Sequence, residues 1–181
     1  MKSLILVGYR GTGKTTIARK LGEQLQISVF DSDSEIERRV GKSIADIFTQ
    51  DGETEFRHIE EATIAEILKQ NISNPFVLAT GGGAILRPET CCRLKNAGHV
   101  IWLTATPETI FHRIQLDPAS GTMRPNLTSL TPLEEIIALL EKRHPFYSEV
   151  AHEIIETDLL KISEITNRIL LNYAQSSLGN F

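Results

Sequence analysis

Residues 8 to 15 read Gly8-Tyr9-Arg10-Gly11-Thr12-Gly13-Lys14-Thr15, with the glycines, lysine and hydroxyl residue of a phosphate-binding loop at their required spacing. Such a loop is useful only between a buried strand and a helix N-terminus, so it restricts the fold more than any other stretch. The flanks agree. Leu4-Ile5-Leu6-Val7 is an apolar run of strand length, and Ile17, Leu21 and Leu25 recur at helical spacing after the loop. Gly8, Gly11 and Gly13 let backbone N–H groups converge on phosphate oxygens that side chains would otherwise screen. Lys14 is placed to reach the outer phosphates, and the Thr15 hydroxyl is placed to ligate Mg²⁺. A helix starting at Lys14 adds the positive end of its dipole. The stretch is expected to hold a nucleoside triphosphate.

The chain has 181 residues, the size of one ordinary domain, and no second domain is expected. Its net charge of −4 and the lack of a basic run argue against nucleic acid, which demands clustered Lys and Arg. Met1-Lys2-Ser3 leads straight into a strand, and no apolar stretch is long enough to span a bilayer, so a cytoplasmic location with no membrane partner is expected. Adjacent Cys91 and Cys92 form neither a disulfide framework nor a metal site and read as packing residues. The five histidines lack ligand spacing.

Beyond the loop, strand and helix signals alternate. Ser28-Val29-Phe30 is a short strand ending at Asp31-Ser32-Asp33, where a helix begins; Phe76-Val77-Leu78-Ala79 and His99-Val100-Ile101-Trp102-Leu103 are further strands, and a fifth is expected over His152–Glu156. About five alternations imply an α/β fold, a parallel sheet covered on both faces. In such a sheet Asp31 and Asp33 lie at the same edge as the phosphate loop, where ligands of open α/β sheets bind. Either residue could simply cap its helix. However, the strand at residues 76–79 ends without an acid, so Asp31 is the candidate for the Mg²⁺ carboxylate. Asp33 is placed to accept or orient the proton of an attacking hydroxyl.

Residues from about 32 to 72 read as a helical insertion, with Gly41 and Gly52 as punctuation, able to build a pocket for a phosphate acceptor. Arg57 near the start of its last helix either answers an anion or pairs with Glu60 or Glu61. Gly81-Gly82-Gly83, at a strand end beside the phosphate loop, reads as backbone that contacts a ligand through exposed N–H groups. A loop rich in breakers around Asp117–Pro125, within a lid segment of about 114–128, carries Arg124, suited to close over phosphates. A helix with Leu133, Ile136, Ile137 and Leu140 is expected to end near Lys142–Tyr147, with Arg143 as a cation at its terminus, and a last helix presents Ile162, Ile165, Ile169 and Tyr173 on one face before a frayed tail from Ser176.

In order along the chain, Gly8–Thr15, Asp31-Ser32-Asp33 with Ile36-Glu37, residues 41–48, Gly52-Glu53 and Phe56-Arg57 with Glu60, Gly81–Gly83, Arg124-Pro125 and Arg143–Tyr147 closely resemble the shikimate kinases. These are small P-loop kinases of aromatic amino-acid biosynthesis. The resemblance runs from Leu4 to about Thr157 and implies a three-layer α/β/α fold with five strands in the order 2-3-1-4-5. It also implies transfer of the γ-phosphoryl of ATP to the 3-hydroxyl of shikimate, with Mg²⁺, by a protein that needs no partner chain and is expected to be a monomer. Residue by residue it implies an ATP site of Gly11, Thr12, Gly13, Lys14, Thr15, Thr16, Arg113 and Arg124; Mg²⁺ at Thr15 and Asp31; and acceptor contacts from Asp33, Arg57, Gly81, Gly82, Gly83 and Arg143. Lys14, Asp33 and Arg124 are the residues expected to act in catalysis. Two departures stand out: the segment Leu116–Arg124 is a few residues longer than in compact members, and Thr157 is followed by Asp158-Leu159-Leu160-Lys161 where members often carry an Arg near the adenine. A gluconate-type kinase, a nucleoside monophosphate kinase or a nucleotide-binding module without transfer activity are the competing expectations. They would not require Asp33, Arg57 and Arg143 together.

Overall fold

Strands buried on both faces read as unbroken apolar runs, and this sheet has such strands at its centre. In the computed structural model, which describes residues 2–117 and 131–178, β1 (Ser3–Val7) is buried at every position, as is β3 (Phe76–Ala79). With β2 (Ser28–Asp31), β4 (Gly98–Thr104) and β5 (Glu153–Glu156) they form one parallel sheet of order β2-β3-β1-β4-β5. The edge strands β2 and β5 are the more exposed ones. The expected strand order is therefore the observed one.

Helices cover both faces. On one side α1 (Lys14–Leu25) and α8 (Ile162–Leu178) pack Ile17, Leu21, Ile165 and Ile169 onto Leu4, Leu6, Val77 and Ile101. On the other, α4 (Gly52–Gln70), α5 (Pro88–Ala97) and α7 (Pro132–Val150) bury Ile64, Leu94, Tyr147 and Val150 against Ile5, Val7, Leu78 and Trp102. The insertion consists of α2 (Ser32–Val40), α3 (Ile44–Gln50) and the start of α4, and has a small core of its own: Ile36, Ile44, Ile47 and Phe56. α6 (Pro107–Leu116) meets α7 through Ile110 and Ile136, over Tyr9.

Three local expectations change. The helix expected to end near residues 142–147 continues through Pro145 to Val150. Proline lacks the N–H that would bond the Glu141 carbonyl, but burial of Arg143, Tyr147 and Val150 along one face carries the helix past it. At the other end α8 extends through Ser176 to Leu178, and its first apolar residue, Ile162, is exposed while Ile165, Ile169 and Tyr173 are buried. Cys91 packs against the core, whereas Cys92 is exposed. No described helix is long and apolar enough to cross a membrane.

Candidate active site

The sheet's carboxyl edge gathers four segments into one cleft of about 960 Å³: the phosphate loop, the β2–α2 corner, the glycine run after β3, and the inner face of α7. The loop's geometry follows from its glycines. Gly8 has φ +143° and lies so close to the Leu103 carbonyl that a Cβ would overlap it, while Gly13 at φ +90° caps α1 in a left-handed conformation. Lys14 is buried, with its ammonium donating to the Tyr9 carbonyl at 2.8 Å, and the Thr12 hydroxyl donates to the same oxygen at 2.8 Å. Gly11, Thr15 and Thr16 line the cleft beside them.

At the β2–α2 corner both readings of Asp31 hold at once. Its Oδ1 caps α2, accepting from the N–H groups of Asp33 (3.1 Å) and Ser34 (3.3 Å), and its Oδ2 accepts from the Thr15 hydroxyl at 2.7 Å. Thr15 and Asp31 thus present two hard oxygen donors side by side, a set that suits Mg²⁺. Among the described residues no three acidic, His or Cys side chains could enclose an ion. The donor set therefore fits a metal held mainly by phosphates and water, as Mg²⁺ usually is.

The side of the cleft away from the phosphate loop is built around α4. Arg57 is buried and donates from NH1 to Glu60 at 2.6 Å and from NH2 to Glu53 at 3.1 Å. Burial works against its charge, but the two carboxylates outweigh it and hold the guanidinium above its ordinary pKa. The Glu60 half of the sequence alternative is thus realised. Glu61 instead faces Arg93, at 3.4 Å. Glu60 is as buried as its partner, and its Oε1 has no hydrogen-bond partner; that oxygen and Asp33 Oδ1 both close on Gly81.

The structure places a further demand on the glycines beside the expected one. Gly81 spends its N–H on the Ser32 hydroxyl (2.8 Å), so it is not an exposed donor. A Cβ at Gly81 would strike Glu60 and Asp33, and one at Gly83 would strike the Arg57 guanidinium. The run is glycine because charged side chains must lie against its backbone. Gly82 links the two halves of the cleft: a Cβ there would crowd the Gly8 carbonyl and the Arg10 N–H, and its own carbonyl accepts from Arg143 NH1 (3.1 Å) and the Tyr147 hydroxyl (2.6 Å). Arg143 is therefore not a cation at a helix terminus. It is buried on α7, with its Cζ 5.6 Å from the centre of the Tyr9 ring. Tyr147 is fully buried and stacks on Trp102 at 5.2 Å, and burial pushes its hydroxyl pKa well above the ordinary phenol value, so it remains a donor. Gly83→Ala is expected to push Arg57 off its partners and raise the KM for the acceptor on the order of 10- to 100-fold, with the KM for ATP nearly unchanged; steady-state kinetics in both substrates checks this.

Arg113 is tied down beside the phosphate loop, donating to the Gly11 carbonyl (3.3 Å), the Thr157 hydroxyl (2.9 Å) and the Thr157 carbonyl (2.7 Å). The departure after Thr157 also finds a use, because Asp158 accepts from the N–H (2.9 Å) and hydroxyl (2.7 Å) of Thr106 at the start of α6. Arg124 and most of the segment 114–128 lie outside the described residues. The structure brings together Lys14, Thr15, Asp31, Asp33, Arg57, Gly81–Gly83, Arg113 and Arg143. It adds Tyr9, Glu53 and Tyr147, and it turns Glu60 from an alternative partner into part of the site.

A sequence model of the family "Shikimate kinase" matches residues 10–174. The chain belongs to the shikimate kinase family. It is 41% identical over 156 residues to the shikimate kinase of Paracidovorax citrulli, which covers 86% of this chain and 82% of that one. The shikimate kinase of Thermodesulfovibrio yellowstonii is 38% identical over 179 residues, 99% of each chain. Among solved structures, the shikimate kinase of Acinetobacter baumannii in complex with shikimate superposes with a TM-score of 0.89 at 36% identity, over 98% of this chain and 96% of that one. Like its relatives, this shikimate kinase family member is an ATP-dependent kinase built on the P-loop fold.

Proposed function

We infer that the chain transfers the γ-phosphoryl group of ATP to the 3-hydroxyl of shikimate, giving shikimate 3-phosphate and ADP. The observation that carries this reading is the convergence, in one cleft, of a phosphate loop with two buried arginines and one aspartate at its far side. Shikimate offers one carboxylate and three hydroxyls. Guanidinium groups match the first and a carboxylate matches the others.

In this reading the loop N–H groups, Lys14 and the α1 N-terminus hold the phosphates, Gly11, Thr12, Gly13 and Thr16 shape that site, and Arg113 borders the nucleoside end. Thr15 and Asp31 hold Mg²⁺, which when bound neutralises phosphate charge. Arg57 and Arg143 hold the acceptor's carboxylate, with Gly81, Gly82 and Gly83 as the floor between them. Asp33 orients the 3-hydroxyl and accepts its proton as that oxygen bonds to the γ-phosphorus and the bond to the ADP oxygen breaks. Arg124 is the arginine for the transferred group. The protein works as a monomer in the cytoplasm, without nucleic acid or membrane. Purified protein with Mg²⁺ and ATP should release ADP on addition of shikimate but not of gluconate or a nucleoside monophosphate, as a coupled assay reads directly.

A further inference from the structure

Arg57 meets two carboxylates of opposite character. Glu60, three residues on, is 2% exposed and accepts from NH1; Glu53, four residues back, is 53% exposed, accepts from NH2 and lines the cleft. Both pairings are set by the spacing of α4 alone. Arg57 Nε is buried without a hydrogen-bond partner, and Gly83 lies against the guanidinium, so the group has no room to retreat.

A carboxylate docks on an arginine most strongly as a fork along one edge of the guanidinium. NH1 is committed to Glu60, and separating that buried pair would leave two uncompensated charges away from water. Each of the two edges that include NH2 requires the donor now engaged by Glu53. Glu53 is the partner that can leave, because half of its side chain is already in water and an exposed ion pair is weakly held.

We propose that Glu53 is a displaceable stand-in for the acceptor's carboxylate: it occupies NH2 of Arg57 until the substrate's own carboxylate takes that donor. Glu53 thereby sets acceptor affinity and selectivity. An incoming carboxylate replaces one ion pair with another, now forked. A neutral polyol has nothing with which to displace Glu53. The proposal rests on the reading of the cleft as a site for a carboxylated acceptor.

The test is steady-state kinetics of Glu53→Gln in shikimate and in ATP, with thermal melting alongside. Removing the competing charge should lower the KM for shikimate about two- to fivefold, with kcat moving less and the KM for ATP unchanged. Glu53→Ala should move the KM in the same direction and serves if the glutamine variant folds poorly. A raised KM for shikimate would overturn the proposal, since Glu53 would then be orienting Arg57 or touching the acceptor. A lower melting temperature with both KM values unchanged would also overturn it, leaving Glu53 a helix-end acid only. If wild-type protein turns over shikimate and the variants behave in either of those ways, only this inference falls. If wild-type protein does not use shikimate at all, the proposed function falls first.

Discussion

Arg57→Ala is expected to destabilise the protein by about 3 to 5 kcal/mol and to abolish useful binding of the acceptor. The size of the effect comes from Glu60. Its carboxylate is buried beside Arg57 at 2.6 Å, and with the guanidinium gone it stays in the interior with no compensating charge. A loss of acceptor affinity in this variant therefore has two sources, and a second substitution separates them. Arg57→Ala with Glu60→Gln should recover much of the denaturation midpoint, because the orphaned charge is removed, while the KM for shikimate stays high. Arg57→Lys keeps the charge but not the fork and should lie between the two. A stable Arg57→Ala variant with an ordinary KM for shikimate would contradict both the structural and the functional role.

Asp33→Asn is expected to lower kcat by about 10²- to 10⁴-fold, the usual contribution of a positioned acid or base, with ATP binding unchanged. Asp33 sits in the first turn of α2 with Oδ1 aimed at the backbone of Gly81, where the proposed acceptor half of the cleft begins. Its neighbour Asp31 already carries the cap of α2 and the bond to Thr15, so in the proposed function the two acids divide the work, Asp31 toward the metal and Asp33 toward the acceptor. Equilibrium nucleotide binding and single-turnover rates of Asp33→Asn measure the two halves separately. Loss of nucleotide binding together with rate would place Asp33 on the wrong side of the reaction.

Much of this was legible in the residues because it is local. A strand, a glycine loop and a helix opening at Lys14 occupy one short stretch, and the acid pair at residues 31 and 33 follows a strand end directly. Periodicity marks such segments, and parallel α/β topology then brings them to one edge. The strand order itself required the family resemblance, since alternation alone does not give it.

What was misread depends on contacts distant in sequence or on packing that overrides a local signal. A helix expected to end near Lys142–Tyr147 hid the fact that Arg143 and Tyr147 stand one turn apart on a single buried face. Their shared acceptor, the Gly82 carbonyl, is 61 and 65 residues away and could not be paired with them by spacing. In the glycine run the expected exposed N–H is already taken at Gly81 by Ser32, and the Cα atoms of Gly81 and Gly83 are also the surface against which Asp33, Glu60 and Arg57 pack. Glu53 had a readable signal in its spacing of four from Arg57, but nothing in the sequence said which carboxylate would be buried and which left in water.

The most direct test of the central claim is ADP release by the purified protein in Mg²⁺ and ATP, followed as shikimate is added and with the product identified. The account predicts little release before addition, saturable release afterwards, and one shikimate 3-phosphate formed per ADP. ATP hydrolysis that ignores shikimate, or turnover that appears only with gluconate or a nucleoside monophosphate, would contradict it.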